Sequence, residues 1–260
     1  ETDQENSGER HFTVPDGVTN ILLQDNKNYI MSSYDSIFSI HPSLSKKQLL
    51  TKIKFESPNN RINDADVDLN GQIWISTMDI HQKSQTGKVI CHDTNLKPIY
   101  SDNSYIISNG PVFDYERNVG YVTDSIKRII YIFSINDLSR NGINKKVFLS
   151  MNKIDGNPDG MTVDKKGNLW VAMWGSGKVC CFDKQGSLKL ILQLPVSKVT
   201  SCTFGGKNLN ELFITTASVG LNDIEAERQP HAGKLFKFLT QEQGYASNCY
   251  RSENIPDLYH

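Results

Sequence analysis

One place in a recurring phrase of this sequence is always filled by an oxygen-bearing side chain. The phrase is an apolar strand entered through a polar turn, and at its entrance stand Asp16, Asn63, Asn109, Asp159 and Ser201. Carboxylate, amide and hydroxyl oxygens brought to one point suit a hard divalent cation such as Ca²⁺, Mg²⁺ or Mn²⁺. Zn²⁺ fits less well, because no His or Cys joins the set. Asp-Gly and Asn-Gly are also good turn formers, glycine supplying positive φ and the Asx side chain capping its own backbone, so turn chemistry explains any one of the five. Recurrence in all five is what turn chemistry does not demand, since Gly, Pro or Lys would serve as well in some copies.

Those residues are placed by a repeat. Tyr29, Trp74, Tyr121, Trp170 and Phe213 mark the same position in successive copies, at separations of 45, 47, 49 and 43 residues. A period of that size signals a β-propeller, in which the loop entering each innermost strand points at a central channel. Each marker sits in an apolar strand: Tyr29 to Ser33, Ile73 to Met78, Gly120 to Thr123, Leu169 to Trp174 and Leu212 to Thr216. Answering strands follow at Ile37 to His41, Lys88 to His92, Arg128 to Ser134, Lys178 to Asp183 and Lys234 to Phe238. Two copies, residues 67–78 and 163–174, share a strand, a polar Gly-containing turn and a second strand, which is hairpin chemistry.

No helical period competes, apart from a short turn expected at 222–229. The expected architecture is all-β: residues 1–10 a terminal segment, 11–240 the propeller, and 241–260 a polar tail with little to bury. Five repeats are complete. His11 to Val14 reads as the last strand of a further blade whose earlier strands are missing, so three outcomes stay open: a missing N-terminal stretch of about 40–45 residues, a five-bladed ring, or closure by the C-terminal tail.

Composition narrows the function classes. With 28 Lys plus Arg against 29 Asp plus Glu the net charge is -1, which excludes a nucleic-acid binder held by bulk charge. No apolar run approaches the ~20 residues of a membrane helix. Five cysteines, Cys91, Cys180, Cys181, Cys202 and Cys249, show no paired spacing and read as small buried hydrophobes. Gly175-Ser-Gly177 is not a nucleophile elbow, the six histidines carry no zinc-protease spacing, and Trp74 and Trp170 read as blade core. The absence of any Asn-x-Ser/Thr acceptor leans towards a cytoplasmic home. The chain opens on Glu1, which keeps secretion after leader removal open.

Several motifs in order resemble the SMP-30/gluconolactonase family, which includes regucalcin and the luciferin-regenerating enzymes. They are residues 60–68 with Trp74 to Met78, then Ile107 to Gly110, Pro158 to Met161 with Leu169 to Ala172, Leu194 to Val196, and Thr200 to Gly206. The resemblance runs from about residue 11 to about 238. It implies a six-bladed propeller, its first blade incomplete in this chain, that binds one divalent cation in the channel and hydrolyses lactones of sugar acids. Calcium is the favoured ion among Ca, Mg, Mn and Zn.

Carried over residue by residue, the resemblance makes Asn109 and Asp159 metal ligands, Arg61 and Asn63 the pair that holds substrate oxygens, and Asp159 also the base. The guanidinium fork of Arg61 suits two oxygens at once; the plainer role for Arg61 is a surface ion pair with Asp64 or Asp66. The family's third ligand is a Glu in a Gly-Glu-Ser/Gly-Pro motif of the first blade. Gly8-Glu9 echoes that motif but Arg10-His11-Phe12 does not continue it, so Asp16 stands in as the substitute metal carboxylate. An acidic substrate contact after Met78 is likewise absent from the loop Asp79 to Gly87. The expected partner is a small-molecule lactone, with no nucleic acid and no membrane, and the oligomeric state is open. The rival reading is a propeller that has lost catalysis and binds a metal or a protein.

Overall fold

The computed structural model describes residues 17–25, 28–42, 46–138 and 142–251. Among them the regular secondary structure is almost wholly strand, arranged as five mainly antiparallel sheets that follow one another in sequence. The first blade holds β1 (Val18–Gln24), β2 (Tyr29–Ser33), β3 (Ser36–Ile40) and β4 (Lys47–Lys52). The second holds β5 (Asn60–Val67), β6 (Ile73–Asp79), β7 (Gly87–His92) and β8 (Pro98–Tyr105). The third holds β9 (Ser108–Asp114), β10 (Val119–Asp124), β11 (Ile129–Ser134) and β12 (Lys145–Ser150). In the fourth are β13 (Asn157–Val163), β14 (Leu169–Trp174), β15 (Lys178–Phe182) and β16 (Leu188–Gln193). The fifth has β17 (Val199–Gly205), β18 (Glu211–Thr216), a helical turn α1 (Asp223–Arg228) and β19 (Phe236–Leu239). The first strands of consecutive blades lie side by side, β1 on β5, β5 on β9, β9 on β13 and β13 on β17.

The radial order follows from where the apolar residues lie. Each junction between consecutive blades is filled by its own cluster, for example Ile30 and Ile37 against Ile62 and Ile75, or Trp170 and Val179 against Cys202 and Leu212. The marker aromatics are the interlocks. Trp74 meets Phe113 of the next blade edge-on at 5.5 Å, and Trp170 meets Phe204 of the next blade at 5.8 Å; such contacts add to plain area burial. Both tryptophans are buried, as are Cys91, Cys180, Cys181 and Cys202, and all five cysteines are free thiols. The helical turn forms with a full capping box between Asn222 and Glu225, satisfying two backbone donors reciprocally.

The shared wording of residues 67–78 and 163–174 has a common hub. Asp68 accepts from the Asn70 and Gln72 N–H groups and from Trp74 Nε1, at 2.8, 3.1 and 3.0 Å. Asp164 repeats the arrangement with Lys166, Asn168 and Trp170 Nε1, each at 2.9 Å. One carboxylate thus closes the hairpin turn and anchors the core indole.

The expected polar tail is corrected. Within 241–260 the described residues 241–251 run beneath the ring, and β20 (Cys249–Tyr250) joins the first sheet parallel to β1. Tyr250 is 1% exposed and packs into the cluster between the first two blades. The physical reason is that this segment serves as a strap, bonding blade edges rather than supplying an apolar face, so its sequence lacks period. His11 to Val14 and the segment 1–10 lie outside the described residues.

Candidate functional site

Every innermost strand breaks register near its entrance. In β5 the pairing passes from Ile62 and Thr77 to Asp64 and Ser76, leaving Asn63 extra; in β13 it jumps from Pro158 to Met161, leaving Asp159 and Gly160. A bulge of this kind re-aims side chains, and here it turns successive residues to the axis. In β9, Asn109 pairs with Thr123 just ahead of the irregularity. The result is a cavity of about 550 Å³ lined by Arg61, Asn63, Asp64, Asn109, Asp159 and Ser201 among others, within the size range of small-molecule sites.

The other two innermost strands carry a bulge as well. The extra residue is Thr19 in β1 and Thr200 in β17. Asp16 lies outside the described residues, and Ser201 lines the same cavity beside Thr200.

The remaining residues converge. Asn63 Nδ2 donates to Asn109 Oδ1 at 3.0 Å and to the Ser108 carbonyl at 3.0 Å, while Asn109 Nδ2 donates to Ser125 Oγ at 2.7 Å. Asn109 is 3% exposed. Its amide nitrogen is spent on Ser125, so its orientation is fixed and Oδ1 keeps one lone pair beyond the bond from Asn63. Arg61 is half-buried, donates to the Ile62 carbonyl at 2.8 Å, and forms no ion pair with Asp64 or Asp66. Burial lowers its pKa, and the charge of Asp159 pulls it back up. Arg61 is therefore a channel residue.

Asp159 is the most perturbed acid of the cavity. Burial raises its pKa well above the carboxylate range, the charge of Asp64 raises it further, and the Gly160 N–H and Arg61 oppose both. Asp64 is the residue that sequence reasoning left out of the site. Its carboxylate accepts from the Gly110 N–H at 2.7 Å and the Ala65 N–H at 2.9 Å, tying the second blade to the strand that carries Asn109. Burial raises its pKa as well. The available signal was the alternation in β5, where Asp64 and Asp66 at a two-residue period share one face of a strand whose opposite face holds buried Ala65 and Val67.

The donor chemistry can be set against a hard cation. All candidate donors are oxygens, and burial raises the pKa of both carboxylates, that of Asp159 further through the charge of Asp64. Asn109 and Asp159 bring oxygens of that kind to the same cavity from adjacent blades. Among the described residues no three acidic, His or Cys side chains cluster closely enough to hold one by themselves.

A propeller whose blades deliver polar tips, two buried carboxylates among them, to an axial pocket belongs to the class of channel-site β-propellers. Residues 1–218 match the SMP-30/Gluconolactonase/LRE-like region, so the chain belongs to that family. A protein of Sulfolobus acidocaldarius of no stated function is 39% identical over 76% of this chain and 69% of its own length. Regucalcin of Danio rerio is 35% identical over 70% of this chain; the chain spans 63% of that relative's length. Among solved structures, that of a calcium-binding protein, regucalcin, from Agrobacterium tumefaciens superposes with a TM-score of 0.83 at 22% identity, over 92% of this chain and 81% of that one. The last likeness concerns the fold alone.

Proposed function

We propose that this protein opens lactones by hydrolysis in the upper channel, with Asp159 as the general base and Arg61 and Asn63 holding the substrate's oxygens. The carrying observation is the convergence of Arg61, Asn63, Asn109 and Asp159 on one cavity in a chain of the gluconolactonase family. Arg61 presents donors to the ester carbonyl or to the carboxylate that forms. Asp159 accepts a proton from the attacking water, and its raised pKa makes it a stronger base than an exposed aspartate. Asn63 is held against Asn109 and so enters the reaction pre-oriented. The ring oxygen leaves as an alcohol on the same molecule, giving a hydroxy acid.

Asn109 and Asp159 would hold a divalent cation, calcium first among the candidates given the calcium-binding protein that shares the fold. When bound, such an ion supplies Lewis acidity. Sugar-acid lactones are the first class to assay, because the family is named for gluconolactonase. The decisive experiment is a pH-stat assay of lactone opening with and without EDTA, paired with calorimetry of metal binding. The expected outcome is metal-dependent turnover in the wild type and a loss of at least about 10²-fold in Asp159→Ala. Metal binding without turnover would instead establish a non-catalytic module.

A further inference from the structure

We propose that the lower end of the channel is a second binding site, taking a small organic ammonium ion whose charged nitrogen sits on Asp66. Between the second halves of the innermost strands and the strap lies a cavity of about 380 Å³, lined by Asp66, Tyr115, Thr162, Thr203 and Asn248 among others. Among the described residues it shares with the cavity of Asp159 and Arg61 only Asn20, Asp64 and Ser201. Ile21 and Leu23 of β1 also line it and keep 60% and 40% of their surface exposed, and Ala246 and Ser247 of the strap are exposed too. The cavity is therefore open to solvent.

Its charge favours a cation. Two carboxylates, Asp64 and Asp66, line it, and among the described residues no Lys, Arg or His does. Each oxygen of Asp64 accepts a main-chain bond, from the Gly110 and Ala65 N–H groups. Asp66 differs. Its Oδ1 accepts from the Val67 N–H at 2.8 Å, while Oδ2 accepts no hydrogen bond among the described residues. Burial, and then the charges of Asp64 and Asp68, push this half-buried acid up to about 7. A carboxylate placed so, with no counter-charge from its own chain, gains from a bound positive group.

The remaining acceptors suit an ammonium rather than a metal. Asn248 Nδ2 donates to the Val67 carbonyl at 2.8 Å and to the Tyr115 hydroxyl at 3.3 Å, which sets the amide and leaves Oδ1 as an acceptor. Thr162, Ser201 and Thr203 add hydroxyls to the wall. An ammonium donates three hydrogen bonds, and a carboxylate oxygen, an amide oxygen and a hydroxyl are acceptors enough. A hard divalent ion takes about six to eight oxygens, carboxylates foremost, and no three acidic, His or Cys side chains of the described residues cluster to hold one. Size agrees: about 380 Å³ lies in the range of small-molecule sites and far exceeds a single ion.

The test is an NMR titration of the isotope-labelled full chain, at constant ionic strength, with 4-aminobutan-1-ol and with butane-1,4-diol as its uncharged counterpart. The amine is expected to shift the backbone amides of Val67, Thr203 and residues 245–248 saturably, and the diol to leave them in place. Asp66→Asn keeps an acceptor for the Val67 N–H and should weaken the amine at least about tenfold. Asp159→Asn, in the upper cavity, should leave its affinity essentially unchanged. Equal binding of amine and diol, undiminished affinity in Asp66→Asn, or shifts confined to the upper cavity would overturn the proposal. Calcium chloride supplies the other arm: calcium that moves the same amides where the amine does not assigns the lower cavity to a metal ion and overturns it as well. Lactone opening is read separately at Asp159, so the failure of either proposal leaves the other standing.

Discussion

Two carboxylates on neighbouring tiers of one channel cannot ionise independently, and the behaviour of Asp159 follows from that. As a base it works only when deprotonated, so kcat/KM should climb as pH rises through a pKa that burial and the charge of Asp64 hold above the ordinary carboxylate range. Asp64→Asn keeps an oxygen for the Gly110 N–H but removes the charge; the acid limb of the pH–rate profile, recorded at fixed metal, is expected to move to lower pH. An unmoved limb would show that Asp64 does not act on Asp159. Asp66, one step further down β5, is pushed up to about 7, chiefly by burial and then by the charges of Asp64 and Asp68. Its unfolded pKa is about 3.9. Between those values the folded state holds a proton that the unfolded state has lost, so stability falls as pH rises across that window and stays reduced above it. Asp66→Asn should consequently stabilise the protein at pH 8, on the order of 2 kcal/mol, and by less at pH 5, as urea unfolding at the two pH values would measure.

At the scale of elements the hairpin hub carries more of the fold than its length suggests. Asp164 is fully buried and accepts four hydrogen bonds, three of them from main-chain and side-chain N–H groups of residues 166–168 and one from Trp170 Nε1. Asp164→Ala strands these donors in a low-dielectric core and is expected to cost about 3–5 kcal/mol. Asp164→Asn keeps one acceptor and should lie between the two; denaturant midpoints for the pair give the ordering. Such hubs were legible in the sequence because Asp, Gly and Trp recur at fixed offsets, and the paired strands around each marker aromatic were legible for the same reason. The outermost strands were not. Leu188, Leu190 and Ile191 in β16 are all exposed, so neither alternation nor a buried face announces that strand. The site was half legible. Asn63, Asn109 and Asp159 stand at a bulge whose entrance wording survives in blades two to four. In β1 and β17 the bulge residue is a threonine, and threonine carries no turn signal that would distinguish Thr19 and Thr200 from their neighbours.

For the molecule as a whole, the problem a propeller must solve is how its last sheet is joined to its first, since open sheets expose unpaired edges. Here the strap spans that distance beneath the ring. Its Gly244 N–H donates to Leu209 in the fifth blade and its Gln243 carbonyl accepts from Lys165 in the fourth, at 2.8 and 2.7 Å. Asn248 reaches Val67 in the second blade at 2.8 Å and the Tyr115 hydroxyl in the third at 3.3 Å. β20 then completes the crossing on β1, with Tyr250 Oη donating to the Thr94 carbonyl at 2.7 Å. The strap also needs close approach: a Cβ on Gly244 would fall 2.3 Å from Phe204, so Gly244→Ala should loosen its seat. Because these bonds join blades that are not neighbours, their removal acts on cooperativity as well as on stability. Tyr250→Ala takes a buried aromatic out of the junction between blades one and two and should cost about 3–5 kcal/mol. Hydrogen exchange should then show β1–β4 opening at lower free energy than the remaining sheets, whereas uniform loss of protection over all five blades would mean that the strap stabilises the ring without closing it.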